Sequence, residues 1–134
     1  MREINKIIIH CADTYQDMDI GVDEIRDWHV NGNGWSDVGY HWIICRNGKL
    51  EEGRKESVIG SHAKGHNTYS IGICLVGGKG FNDKPEFNFT YAQMDTLAGL
   101  VDNIKSRFEN LDVMGHNEVS SKTCPNFDVR AFFT

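Results

Sequence analysis

Two histidines and one cysteine, far apart along the chain, carry side chains that suit a metal site. His10 ends the apolar run Ile7–Ile9, and His116 directly follows a second strand-like segment, Asp112–Gly115. Cys124 comes eight positions after His116. Two imidazoles and a thiolate are good zinc ligands, and three protein ligands leave the fourth tetrahedral position open for water. These residues alone raise a catalytic zinc site as a hypothesis, beside the alternative that each histidine is an ordinary polar residue at a strand end.

The other cysteines are weaker candidates for the sulfur ligand. Cys11 is the obvious rival, but successive side chains of a strand point to opposite faces, so we expect Cys11 to point away from His10. Cys45 and Cys74 lie inside apolar runs, where free cysteine packs as a small hydrophobic residue. The four cysteines include no CxxC pair, and we expect no disulfide framework.

Strands must hold these residues in place. Continuous apolar sequence predicts buried strands at Ile4–His10 and Ser70–Val76. A further strand is predicted at Tyr40–Arg46, and Asn47–Gly48 predicts a two-residue type I′ turn that joins it to Lys49–Gly53 in a hairpin. The order of the strands in the sheet is not predicted by the sequence.

Helices are predicted between these strands. Val22–Val30 has the spacing of an amphipathic helix, with Val22, Ile25, Trp28 and His29 on one face. Thr90 and Gln93 form a capping box that begins a long helix. Its predicted apolar stripe consists of Tyr91, Met94, Leu97, Leu100, Val101, Ile104 and Phe108. With a short helical turn near Asp128–Phe133, the pattern predicts an α/β (α+β) fold: one domain over residues 1–134 with a central mixed sheet flanked by helices.

Composition excludes several classes of partner. The chain has 134 residues and a formal net charge of -5, which argues against non-specific nucleic-acid binding. We find no apolar stretch of about 20 residues that would span a membrane, and no signal peptide. We therefore expect synthesis in the cytoplasm, no membrane or nucleic-acid partner, and a monomer.

Four stretches carry a resemblance to a known family. They are IIIHCADT, DVGYHWIICRNGKLEEGR, GSHAKGHNTYSIGICLVGG and GHNEVSSKTCPNFD. Together they closely resemble the phage-type zinc-dependent N-acetylmuramoyl-L-alanine amidases, whose fold is shared with the peptidoglycan recognition proteins. The resemblance runs from about Ile4 to Asp128, with the blocks in the same order. It implies hydrolysis of the amide between N-acetylmuramic acid and L-alanine in peptidoglycan.

The resemblance also implies roles for individual residues. The family's Zn²⁺ ligands correspond to His10, His116 and Cys124. Tyr40, in the GYH motif, is implied to assist catalysis by orienting water or by donating a hydrogen bond to the oxyanion or to the leaving amine. Lys122 is implied to stabilise the oxyanion, and His62, in GSHAKG, to line the substrate cleft.

The remaining histidines are expected to be structural. They are His29, on the first helix, His41, next to Tyr40, and His66, in the loop with His62. Trp35 either stacks on a sugar or caps the core, and both alternatives stay open.

Two other functions are alternatives to the amidase prediction. A peptidoglycan-binding module that does not cut commonly lacks the zinc cysteine, which Cys124 supplies here. Inhibition of a phage RNA polymerase needs a longer leading segment than the three residues ahead of Ile4, so we do not expect polymerase binding.

Asn117 replaces a second histidine of the phage pattern, which should leave the ligand set intact. The expected role is that of an endolysin of a phage or prophage, released through a holin pore, although no residue separates it from a cytoplasmic enzyme recycling wall fragments.

Overall fold

Seven strands form two sheets in the computed structural model, which describes residues 2–133. They are β1 (Lys6–Cys11), β2 (Thr14–Tyr15), β3 (Trp42–Ile44), β4 (Leu50–Glu52), β5 (Ser70–Leu75), β6 (Gly78–Lys79) and β7 (Asp112–Gly115). The large sheet has the order β4-β3-β5-β1-β7, and only β3 and β4 are antiparallel neighbours. Strands β2 and β6 pair separately. The predicted mixed sheet is therefore confirmed, with β1 between β5 and β7.

Three α-helices accompany the sheets in the described part of the chain. They are α1 (Val22–Asp27), α2 (Tyr91–Arg107) and α3 (Val129–Phe132), and α1 continues as a π-helical turn over Trp28–Gly32. The predicted capping box of α2 is present. Thr90 Oγ1 accepts from the Gln93 backbone N–H at 3.0 Å, and Gln93 Oε1 accepts from the Thr90 N–H at 3.0 Å. None of the helices in residues 2–133 has the length and apolar character needed to cross a membrane.

The sheet buries apolar residues on both of its faces. On one face, α2 contributes the buried residues Leu97, Leu100, Val101 and Ile104 to a cluster with Ile7 and Ile9 of β1. On the other face, Val22 and Ile25 of α1 cluster with Ile43 and Cys74. Ile8 of β1 clusters separately with Ala63 and Met114, so β1 is covered on both sides, as its continuous apolar sequence predicts.

Two residues of the predicted helix faces are not in the core. Tyr91, the first residue of α2, is 91% exposed. Trp28 is 41% exposed because the chain leaves the α-helical path there for the π-helical turn. The predicted apolar stripe of α2 therefore does not extend into the core at Tyr91, and the predicted face of α1 does not extend into it at Trp28.

The hairpin between β3 and β4 is present, but its turn differs from the prediction. The Cys45 N–H donates to the Lys49 carbonyl, and the Gly48 N–H donates to the Cys45 carbonyl at 2.8 Å. Only Gly48 of this turn has a positive φ, 87°. A type I′ turn needs positive φ at both central residues. The connection is therefore a three-residue loop in which Gly48 alone needs the left-handed region.

Glu56 ties the loop after β4 to both β3 and α2. Its carboxylate accepts from Trp42 Nε1 at 2.8 Å and from Arg107 NH1 at 2.7 Å. Burial opposes the charged form, but these hydrogen bonds outweigh it and the net pKa of Glu56 is lowered. The lowered pKa means that the folded state is stabilised above the carboxylate's ordinary pKa, and that this stabilisation is lost as pH falls through the folded-state pKa.

We expect Glu56→Gln to lower the free energy of unfolding at pH 7 by on the order of 1–3 kcal/mol, because it weakens hydrogen bonds to a charged group. The difference from the parent should be smaller at an acidic pH, because Glu56 itself becomes protonated as the pH falls through its folded-state pKa. Urea unfolding at the two pH values measures it. A difference of equal size at both pH values would show that the charge of Glu56 does not contribute to the free energy of unfolding.

Candidate active site

Parallel pairing brings the two predicted histidine ligands together. In the register of β1 and β7, Ile9 lies opposite Gly115, so His10 and His116 are the next residues along two neighbouring strands. The carboxyl ends of parallel strands open at one edge of a sheet, which is where α/β proteins bind ligands. Here the ring centroids of His10 and His116 lie 4.4 Å apart. His10 is 1% exposed and His116 is half-buried.

Cys124 reaches the same point from the loop that follows His116. Its sulfur accepts a hydrogen bond from the Cys11 backbone N–H at 3.0 Å. That hydrogen bond holds the sulfur beside the end of β1. The Cys11 side chain itself belongs to the main core cluster with Ile7 and Ile9, as strand alternation predicts. Cys11 therefore holds the sulfur of Cys124 through its backbone N–H, and its own thiol, which also lines the cleft, hydrogen-bonds Cys124.

The donor atoms of His10, His116 and Cys124 form a group able to hold a metal ion. All three lie within 4.8 Å of one another, and a tetrahedral zinc ion with bonds of about 2.0–2.3 Å would draw them to about 3.3–3.8 Å apart. Burial, followed by nearby His62, His116 and Lys122, holds the pKa of His10 well below its ordinary value. Burial and Lys122 also lower the pKa of His116. Both rings are thus neutral at pH 7, as metal binding requires, and the donor set fits zinc.

The group lies in a cleft of about 760 Å³ that also holds the other predicted site residues. Tyr40 contacts His10, with ring centroids 5.1 Å apart. Burial, followed by the nearby sulfurs of Cys74, Cys124 and Cys11, raises the pKa of Tyr40 well above its ordinary value, so its phenol remains a hydrogen-bond donor. Lys122 is exposed and lines the cleft.

His62 lines the cleft and also contacts the ligand set. Its Nδ1 lies 2.8 Å from His10 Nε2, and its Nε2 lies 3.1 Å from Ser70 Oγ. Burial, followed by His41 and His116, lowers the pKa of His62 to about 3. His62 therefore contacts the predicted metal ligand His10 in addition to lining the cleft.

The other histidines divide between the core and the cleft. His41 is fully buried. Its Nδ1 accepts from the Gly72 N–H at 3.0 Å, and its Nε2 lies 2.8 Å from the Val58 carbonyl. These contacts give His41 a structural role. His29, by contrast, lines the cleft, where its ring lies 5.6 Å from Tyr40. The prediction placed His29 on a packed helix face, but the π-helical turn carries it to the site.

Trp35 is among the cleft residues as well. Its ring packs on His29 at 4.7 Å and is 37% exposed, so it does not cap the core. Ser61, in GSHAKG, and Asn126, in the last of the four stretches, also line the cleft, although the resemblance was not used to assign a role to either. They reach the cleft through loop conformations that a sequence pattern does not predict.

Comparison with known proteins decides the family. The sequence profile described as N-acetylmuramoyl-L-alanine amidase matches residues 1–127. The chain belongs to the N-acetylmuramoyl-L-alanine amidase family. The endolysin of Klebsiella phage KP32 is 46% identical over 132 residues, which cover 98% of this chain and 87% of the relative. The endolysin of Escherichia phage T7 is 46% identical over 127 residues, which cover 95% and 83%.

A solved structure agrees with this assignment. The N-acetylmuramoyl-L-alanine amidase LysC from Clostridium intestinale URNW superposes with a TM-score of 0.83 at 29% identity, covering 98% of this chain and 83% of that one. The fold of the amidase is therefore that of its family. The chain is a hydrolase that cuts peptidoglycan at the bond between N-acetylmuramic acid and L-alanine.

Proposed function

We propose that the amidase is a zinc-dependent endolysin. The single observation that carries the zinc part is the convergence of His10, His116 and Cys124 at one edge of the sheet, with ligand atoms within 4.8 Å. A bound zinc ion would act there as a Lewis acid and lower the pKa of a water molecule enough for attack on an amide near neutral pH. Neutral histidines and a sulfur held in place by the Cys11 N–H suit that ion.

Lys122 is proposed to stabilise the charge that develops on the substrate carbonyl oxygen. It is an exposed cation that lines the cleft, two residues before Cys124. Its ammonium group can reach an oxygen held beside the ligand set without being buried itself. Preorganised donors of this kind contribute a few kcal/mol to the barrier reduction.

Tyr40 is proposed as a hydrogen-bonding catalytic residue. Its ring lies against His10, and its raised pKa keeps the phenol protonated. A protonated phenol can orient the attacking water, or donate to the oxyanion or to the leaving nitrogen. His62 is proposed to contact substrate from the lining of the cleft, where its ring is edge-on to His10 at 4.9 Å.

The proposed biological role is lysis of the bacterial wall. Curated relatives named as phage endolysins are 44–46% identical to the amidase over most of its length. We propose that the amidase reaches the wall after release through a membrane pore, and that it acts as a monomer without RNA polymerase as a partner.

Zinc removal tests this proposal. We expect dialysis against a strong chelator to abolish dye release from stained sacculi, and one equivalent of Zn²⁺ to restore it, because the three ligands lose their only metal. Magnesium should not restore activity, since nitrogen and sulfur ligands disfavour it. Full dye release by metal-free protein would contradict the proposal.

A further inference from the structure

A chain of hydrogen bonds runs from the proposed ligand His10 to the main chain beneath the site. His10 Nε2 lies 2.8 Å from His62 Nδ1. His62 Nε2 lies 3.1 Å from Ser70 Oγ. Ser70 Oγ donates to the His66 carbonyl at 2.7 Å.

The last acceptor sets the direction of the whole chain. A carbonyl only accepts, so the single hydroxyl proton of Ser70 points at His66. The Ser70 oxygen must then accept from His62 Nε2–H. In a neutral imidazole the second nitrogen is an acceptor, so His62 Nδ1 accepts from His10 Nε2–H. The free lone pair of His10 is therefore on Nδ1.

His62 is held firmly enough to act in this way. The backbone N–H groups of His62 and Ala63 both donate to Asn67 Oδ1 at 2.9 Å, which fixes the loop. Gly72 lies under the ring, and a Cβ at that position would come within 2.5 Å of His62 Cγ. Ser70 is fully buried at the start of β5. The ring thus occupies a fitted space between the loop and the sheet.

We propose that His62 and Ser70 are positioning residues that fix the tautomer of His10, so that its Nδ1 is the metal-binding atom. The proposal rests on the zinc site proposed above. Histidines that bind metal generally donate their other ring N–H to a fixed acceptor, which sets the ring orientation and makes the ligand nitrogen more basic. Here the acceptor is His62. The His66 carbonyl fixes the tautomer of His62 through the hydroxyl of Ser70.

Nuclear magnetic resonance on the unmodified protein tests the tautomer directly. Long-range ¹H–¹⁵N spectra of the zinc-loaded amidase should show the His10 proton on Nε2 and the shift of a metal-bound nitrogen on Nδ1. A His10 proton on Nδ1 would overturn the proposal and leave the zinc site standing. If no His10 nitrogen shifts on addition of zinc, the zinc site itself is wrong, and the positioning role with it.

Zinc affinity of variants tests the positioning role. His62→Ala should bind zinc 10–100-fold more weakly in competition with a chromogenic chelator. His62→Asn should recover most of the affinity, because its Oδ1 can replace the Nδ1 acceptor. Ser70→Ala should lose less zinc affinity than His62→Ala, because it leaves the His62 ring in place.

The matched control is His66→Ala, which changes a histidine of the same loop but keeps the carbonyl that accepts from Ser70. Its zinc affinity should equal that of the parent. Affinity of His62→Ala equal to the parent's would overturn the proposal. Thermal unfolding of each metal-free variant shows whether it is folded. If His62→Ala does not fold, the magnetic resonance spectra of the parent protein test the proposal instead.

Discussion

Cys124→Ala loses zinc and peptidoglycan hydrolysis together, by more than about 100-fold, because a direct ligand matters more than the groups that orient ligands, which are worth 10–100-fold. The sulfur of Cys124 is the only thiol positioned with His10 and His116 in the metal-binding group found among the described residues. Metal content by mass spectrometry and dye release from sacculi measure the two losses on the same sample.

Cys11→Ala is the matched control for this prediction. It removes the neighbouring thiol but keeps the backbone N–H that donates to Cys124 at 3.0 Å. Zinc content should stay at that of the parent, and stability should fall modestly because Cys11 is a buried core residue. Zinc loss in Cys11→Ala with zinc retained in Cys124→Ala would reverse the ligand assignment.

Lys122→Met lowers kcat by about 10²–10³, the effect of removing one donor that stabilises an oxyanion. Zinc affinity should stay the same or rise slightly, since the positive charge of Lys122 disfavours a second positive charge near His10 and His116. Steady-state hydrolysis of a soluble muropeptide, together with zinc titration, separates the two effects.

Lys105→Met is the control for the charge change. Lys105 is exposed on α2 and does not line the cleft, so this variant should keep the activity of the parent. A Lys122→Met protein with unchanged kcat would exclude Lys122 from the catalytic step. A loss of zinc in Lys122→Met would instead assign the residue to the integrity of the site.

The ends of the strands were predictable from sequence because they depend on local patterns. Ile7–Ile9 is apolar on both faces, and a polar His10 at its end marks the place where the strand leaves the core. The meeting of His10 with His116 depends on strand order, which places β7 beside β1. That pairing joins residues more than 100 positions apart, and no local pattern encodes it.

Loop conformation limited the prediction of the rest of the site. His29 was predicted to pack because a regular helix would carry it inward, whereas the π-helical turn directs it to the cleft. Ser70 looked like the first residue of a buried strand, and its hydroxyl acquires a role only because the loop of His62 folds over it. Such contacts between a loop and a strand are set by tertiary packing.

Mass spectrometry of the soluble products from purified sacculi tests the central claim most directly. Zinc-loaded amidase should release peptides with a free amino-terminal L-alanine and leave glycan chains whose muramic acids carry free lactyl carboxylates. The Cys124→Ala protein should release neither product. Intact muropeptides, or glycan fragments that still carry their peptides, would contradict the account.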